Sequence, residues 1–278
     1  MQTATITTNE IIARYDTILL DAYGVLVDKQ GALPGAPAFI ERLNLLGKPY
    51  FVLTNSASRL PEAIAAEFQA WGLAIAANQF ITSGMLLKAY IEKNDLTGSN
   101  CLVLGPEDAW TYVEMAGGVP IALDESGEAG VLVIADQQGF DCLEGMNRAL
   151  SMVLRRIDTG QTMRLLLCNP DIIYPLAPRQ YGFTSGALAA MLEAALVQRY
   201  PGEHIEFVRL GKPYLPMFEA AQALSGTANL VMIGDQLATD ILGANRFGID
   251  SVLVHSGLAI PETTFKTDAR PTYRLKRF

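Results

Sequence analysis

Four short polar stretches, each at the end of an apolar run or in the loop beyond it, hold the reactive side chains. They are Asp21 after Thr17-Ile-Leu-Leu, Thr54-Asn55-Ser56 after Tyr50-Phe-Val-Leu, Lys212 within Gly211-Lys212-Pro213, and Asp235 after Leu230-Val-Met-Ile-Gly234, with Asp240 five residues on. A carboxylate ending a buried strand needs a partner or a task, because an unpaired charge there is costly to desolvate. Three gathered carboxylates repel one another unless a cation offsets them, and an oxygen-only donor set without His or Cys selects Mg²⁺. A lysine, a threonine hydroxyl and backbone N–H groups at a helix start make a cradle for phosphate. Together these groups form a metal-assisted phosphoryl site with a carboxylate nucleophile.

Taken singly, each residue has a plainer reading. Asp21 and Asp235 suit strand-end turns, Lys212 a surface loop and Asp240 a helix cap. Thr54-Asn55 suits a helix N-cap, which is itself compatible with binding phosphate. Asn169-Pro170-Asp171 reads as a hinge or loop-orienting turn.

What must position these groups is an alternation of strand and helix. Ile18 to Asp21, Tyr50 to Thr54, Leu230 to Gly234 and Ser251 to His255 read as buried strands. Between them lie helices opened by Gly35-Ala36-Pro37, by Pro61 in a first turn, and over Thr239 to Phe247 with Gly248 as the stop. Parallel strands bring their carboxyl ends to one rim, so residues far apart in sequence meet there. Gly24, just past Asp21, allows a sharp turn and a close backbone approach.

The middle of the chain reads as a smaller α/β unit. Its strands are Cys101 to Leu104, Val131 to Ala135 and Arg164 to Cys168, with helices from Pro106 through Met115 and Asp141 to Ile157. Tyr174 to Arg179 is expected to lead back to the first domain, where Ser185 caps a helix and Ile205 to Val208 forms a strand. The residues after His255 are expected to be a loose tail.

The net charge of −8 in 278 residues argues against a nucleic-acid surface. The basic cluster Arg270 to Arg277 reads as solvated. Met1 to Glu10 lacks a basic region followed by an apolar core, so no secretory signal is expected, and no apolar run approaches a membrane span. Cys101, Cys142 and Cys168 are odd in number and widely spaced, which suits thiols of a reducing, cytoplasmic compartment. These features argue against nucleic acid and membrane as partners; the polar set above points to a small phosphorylated molecule, and a homodimer is left open.

The ordered set Asp21-Ala22-Tyr23-Gly24-Val25, Leu53-Thr54-Asn55-Ser56, Gly211-Lys212-Pro213 and Gly234-Asp235-Gln236-Leu237-Ala238-Thr239-Asp240 resembles the four motifs of the haloacid dehalogenase superfamily. Asn169-Pro170-Asp171 and Gly243-Ala244-Asn245 are similar to its class IIA, NagD-like sugar-phosphatase branch. The resemblance implies an α/β fold: a Rossmann-like, doubly wound parallel sheet core with an inserted smaller α/β cap of the C2 type. The implied division is residues 1–84 for the first part of the core, 85–180 for the cap and 181–278 for the rest of the core.

The resemblance also implies roles. Asp21 attacks phosphorus to give an aspartyl-phosphate, Thr54, Asn55 and Ser56 hold the phosphoryl oxygens, and Lys212 neutralises them and holds Asp21. Mg²⁺ is bound by Asp21, Asp235 and the backbone carbonyl of Tyr23, with Asp240 acting through water or orienting Lys212. Substrate selectivity is expected in the loops Asp136 to Phe140 and Asn169 to Tyr174.

Tyr23 departs from the pattern. Phosphatases of the superfamily carry an acid/base Asp at that position, and a phenol with a pKa of about 10 is a poor base at neutral pH. Asp-Ala-Tyr-Gly also occurs in the haloacid dehalogenases proper, where the carboxylate attacks carbon and halide leaves without a proton. A 2-haloacid dehalogenase is therefore the rival reading, as is a phosphate-binding protein with little turnover. Against the dehalogenase, displacement at carbon needs no divalent cation, yet Asp235 and Asp240 are both present.

Overall fold

The computed structural model describes residues 3–122, 128–177, 179–254, 267–276 and 278. They fall into two units: the chain up to Thr54, Pro61–Ile81 and Lys212 onward form the first, and Asn55–Leu60 with Thr82–Gly211 form the second.

The first unit is built on seven strands ordered Ala4–Thr5, Tyr273–Leu275, Asp250–Val254, Leu230–Gly234, Thr17–Asp21, Tyr50–Thr54 and Phe80–Thr82. The pairings from Ala4–Thr5 through Tyr50–Thr54 are parallel. Thr17–Asp21 and Leu230–Gly234 are buried along their whole length. Parallel strands covered on both faces carry apolar residues at every position, which is why they read as continuous runs and not as alternation. From helices Thr8–Arg14, Ala36–Leu45 and Pro61–Ala70, the residues Ile11, Phe39, Ile40, Leu43, Ile64 and Phe68 pack with Ile18, Leu20, Val52 and Ile233 of the sheet. Pro37 and Pro216 sit in the first turns of Ala36–Leu45 and Leu215–Ser225, and Gly226, at φ 66°, ends the latter.

Register brings the reactive residues level. Asp21 pairs with Leu53, so Thr54 stands one residue further along the neighbouring strand. On the other side Leu20 pairs with Ile233, which places Gly234 beside Asp21 and Asp235 one step past the strand end. Three adjacent parallel strands thus deliver polar residues to the same rim.

The second unit has a parallel sheet ordered Val208–Arg209, Arg164–Leu167, Val131–Ile134, Asn100–Leu104 and Val119–Ile121. Helices Glu107–Met115, Cys142–Asp158 and Ser185–Arg199 accompany it. The fold is the α/β class expected, a parallel-sheet core with a smaller α/β unit inserted in its sequence.

Several sequence expectations are corrected. The stretch after Asp171 does not lead back to the first unit: Ile173–Ala177 and Gln180–Phe183 pair as an antiparallel hairpin within the second. Helix Ser185–Arg199 stays there too, because Leu188, Ala189, Leu192 and Leu196 pack with Leu132, Ile134, Leu165 and Leu167. The strand expected over Ile205 to Val208 is only Val208–Arg209, held beside Arg164–Leu167. The return to the first unit therefore comes at Lys212 and not at 181, and the departure precedes Thr82 rather than 85. Thr184, whose hydroxyl accepts from the Ser185 N–H, is the cap of that helix in place of Ser185. Tyr273–Leu275 of the expected loose tail is a strand beside Asp250–Val254. His255, the end of the last expected strand, and Arg277 of the basic cluster lie outside the described residues.

Candidate active site

Asp21 ends its strand 7 % exposed. Beyond it the chain turns at once: Leu26 and Val27 both donate to the Ala22 carbonyl, and Gly24 N–H donates to the Val27 carbonyl at 2.8 Å. Gly24 has φ +92°, and a Cβ there would lie 2.1 Å from Asp235 Oδ2. The glycine is thus required twice, by its left-handed backbone and by the carboxylate resting against it. The Tyr23 side chain next to it is 47 % exposed.

Lys212 is the hub of the first unit's polar cluster. Its Nζ donates to the Asp21 carboxylate, to Asp240 Oδ1 at 2.7 Å and to the Leu53 carbonyl at 3.2 Å, with the lysine 3 % exposed. The surface-loop reading of Lys212 is thereby excluded. Asp240 is fully buried, and its second oxygen accepts the Gln236 N–H at 3.2 Å. This geometry follows from a π-helical turn over Leu237–Ile241, where a regular helix over Thr239 to Phe247 was expected; the α-helix proper is Leu242–Phe247. The turn folds Asp240 back onto Gly234, where a Cβ would lie 2.2 Å from that of Asp240.

Asp21, Asp235 and Asp240 each offer a carboxylate oxygen, and these oxygens lie within 4.8 Å of one another. Three carboxylates against the single ammonium of Lys212 leave an excess of two negative charges when all are ionised, the charge of one divalent cation. Burial pushes the Asp21 carboxyl well above the ordinary carboxylate range; Lys212 opposes that push, and the charges of Asp240 and Asp235 add to it. For Lys212, burial disfavours the ammonium, but Asp21 and Asp240 outweigh it and hold the pKa above the ordinary lysine value. Both shifts express one condition, too much negative charge in a dry volume. A hard cation that takes oxygen ligands fits this donor set.

Thr54 is buried at the end of its strand in the first unit, while Asn55 and Ser56 begin the segment that belongs to the second. Within that unit Asn55 Nδ2 donates to Asp171 Oδ1 at 3.1 Å, and Ser83 Oγ donates to the Asn55 carbonyl at 2.7 Å. Ser83 N–H also donates to the Ser56 carbonyl at 3.2 Å. The sequence places Asp171 in a turn and in a loop of expected selectivity, and Ser83 only ahead of a helix; neither reading carries the contact with Asn55.

Comparisons with known proteins identify the family. A family model described as haloacid dehalogenase-like hydrolase matches residues 18–118, and a HAD-hydrolase-like model matches residues 209–278. The chain is similar to a solved structure from Cytophaga hutchinsonii described as a "possible sugar phosphatase, HAD superfamily". The identity is 32 % over 99 % of this chain and 98 % of that one, with a TM-score of 0.83. Among curated proteins it is 28 % identical to the dihydroxyacetone phosphatase of Corynebacterium glutamicum, over 92 % of this chain and 86 % of that protein. It is 25 % identical to the acid sugar phosphatase of Staphylococcus aureus over 95 % of each. The motif order, the parallel core and a full-length relative at this identity place the chain in the haloacid dehalogenase superfamily, as a hydrolase of its class IIA branch.

Proposed function

We propose that the chain is a cytoplasmic, Mg²⁺-dependent phosphatase of a small phosphorylated metabolite, such as a sugar phosphate. The observation that carries this reading is the Lys212 ammonium held between Asp21 and Asp240, with Asp235 completing the carboxylate cluster. The named relatives, an acid sugar phosphatase and a dihydroxyacetone phosphatase, support the same substrate class. Among the described residues no helix is long and apolar enough to cross a membrane.

In this mechanism a carboxylate oxygen of Asp21 attacks phosphorus, forming an acyl-phosphate O–P bond as the bond to the leaving oxygen breaks. Lys212 keeps Asp21 oriented and neutralises the phosphoryl oxygens, and Asp240 keeps Lys212 in place. Thr54, Asn55 and Ser56 hold the phosphoryl oxygens with hydroxyl, amide and backbone donors. Asp21, Asp235 and the Tyr23 carbonyl would hold Mg²⁺, with Asp240 acting through water or through Lys212; the ion would supply charge neutralisation for the phosphoryl group. Water then attacks phosphorus, releasing phosphate and restoring the carboxylate. With Tyr23 at the acid/base position, the alkoxide leaves with little proton assistance, which lowers the rate by a factor on the order of 10²–10⁴ for poor leaving groups. The carboxylate cluster favours this reading over displacement of halide at carbon, for which it has no use.

The test is Asp21→Asn, which removes the nucleophile while preserving shape. Turnover of an aryl phosphate with Mg²⁺, and the phosphoenzyme trapped by acid quench, should both disappear. Retained turnover in that variant would refute the mechanism.

A further inference from the structure

The second unit contains a polar bracket around Asn55. The turn Asn169-Pro170-Asp171 is closed on itself, since Asn169 Oδ1 accepts the Asp171 N–H at 3.0 Å. Asn169 Nδ2 donates to Thr184 Oγ1 at 3.2 Å, and that hydroxyl donates to Gln137 Oε1 at 2.8 Å. The far side of the turn rests on the start of helix Ser185–Arg199: Gly186 N–H donates to the Asp171 carbonyl at 3.0 Å. A Cβ at Gly186 would come within 2.3 Å of the Pro170 carbonyl oxygen, so only glycine admits this contact.

The side chain that this scaffold presents is Asp171, whose Oδ1 accepts from Asn55 Nδ2 at 3.1 Å. The other end of the Asn55 amide is set by Gly211. A Cβ on Gly211 would lie 2.6 Å from Asn55 Oδ1, 2.7 Å from the Cys168 carbonyl and 2.8 Å from Pro170 Cδ. Gly211 N–H in turn donates to the Cys168 carbonyl at 3.1 Å. The amide is therefore fixed in both rotamer and face: the carboxylate accepts only from nitrogen, which determines which way the amide is flipped. Asn55 is itself 7 % exposed, and its bond to Asp171 is part-buried.

We infer that Asp171 is a positioning residue for phosphate capture, acting through the Asn55 amide that it orients, and that Gly211 is the absent side chain which makes room for that amide. The inference rests on the reading of Asn55 as a holder of the phosphoryl group. Its physical basis is preorganisation: an amide already fixed loses no rotamer freedom when phosphate arrives, whereas an untethered one must be ordered at that moment. The effect falls on binding of the phosphoryl group rather than on the bond-making step.

The experiment measures aryl phosphate hydrolysis with Mg²⁺ and competitive inhibition by inorganic phosphate, in wild type, Asp171→Ala, Asp171→Asn, Asn55→Ala and the double variant Asn55→Ala/Asp171→Ala. In Asp171→Ala, KM and the phosphate inhibition constant should rise together, by roughly three- to tenfold for one newly mobile side chain, with kcat little changed. Asp171→Asn, which keeps an acceptor for the amide, should recover most of the loss. The double variant should bind phosphate no worse than Asn55→Ala alone, because the two residues act in series. Where Asp171→Ala fails to fold, Gly211→Ala provides the same displacement of the amide and should give the same KM-weighted loss. Independent, multiplying effects of the two substitutions, or a loss confined to kcat, would overturn the inference. If Asn55→Ala itself leaves phosphate inhibition unchanged, the phosphate reading of Asn55 falls and takes the inference with it. Unchanged inhibition in the Asp171 and Gly211 variants alone sinks only the inference.

Discussion

Lys212 Nζ and Asp240 Oδ1 lie 2.7 Å apart with side-chain exposures of 3 % and 1 %. A pair this dry is not a surface ornament. Removing one partner leaves the other charged and without compensation, at a cost of about 3–5 kcal/mol. Lys212→Met should lower the unfolding free energy by about that amount in a denaturant titration and abolish turnover. Adding Asp240→Asn should recover part of the stability and none of the activity. Wild-type stability in Lys212→Met would mean that the ammonium does not offset these carboxylates.

Gly24→Ala tests how Asp235 is placed. The new methyl would start 2.1 Å from Asp235 Oδ2 on a backbone at φ +92°, so the carboxylate must move and the turn is strained by about 1–3 kcal/mol. Mg²⁺ should raise the melting temperature of the wild type, since an ion bound only by the folded chain stabilises it. That upward shift should vanish in Gly24→Ala as completely as in Asp235→Asn. A wild-type response in the alanine variant would mean that Asp235 does not hold the ion where the glycine puts it.

Tyr23 tests the acid/base assignment. Its side chain is 47 % exposed, which leaves room for a shorter residue. Tyr23→Asp should raise phosphatase activity, most for alkyl phosphates whose leaving oxygen needs a proton, by a factor on the order of 10². Comparing rates on alkyl and aryl phosphates reads this directly. A tenfold fall would assign the phenol a role of its own.

The cysteines give a prediction independent of the chemistry. Burial pushes the Cys101 thiol up to about 11 and Cys168 up to about 12, while Cys142 is exposed. A thiol reagent near neutral pH should therefore label Cys142 quickly and the other two only after denaturation, because the thiolate is the reacting form. Mass spectrometry of the labelled native protein checks the assignment, and rapid native labelling of Cys168 would contradict it.

Much of the first unit was readable from the chain because its strands are covered on both faces and so appear as unbroken apolar runs. Asp21 paired with Leu53, and Leu20 with Ile233, realise the shared rim that those runs implied. The second unit's limits were less readable. The apolar stripe of Leu188, Leu192 and Leu196 says that a helix packs on a sheet, not on which sheet, and the sheet it covers is that of the second unit. The turn at Leu237–Ile241 likewise follows from where Asp240 must lie, a tertiary demand that helix periodicity does not carry. Asp171 stood in plain view as part of a turn, but its contact with Asn55 spans 116 residues and no local pattern announces it.

Gly24, Gly211 and Gly234 each stand where a methyl group would meet a polar neighbour at under 3 Å, whereas Gly47, Gly72 and Gly98 have nothing within 4 Å. The first group, two in the first unit and one in the second, makes room for residues of the proposed site out of hydrogen atoms, and this closes those positions to gradual change. Evolution toward a new substrate must leave these three positions alone and draw its variation from elsewhere on the chain.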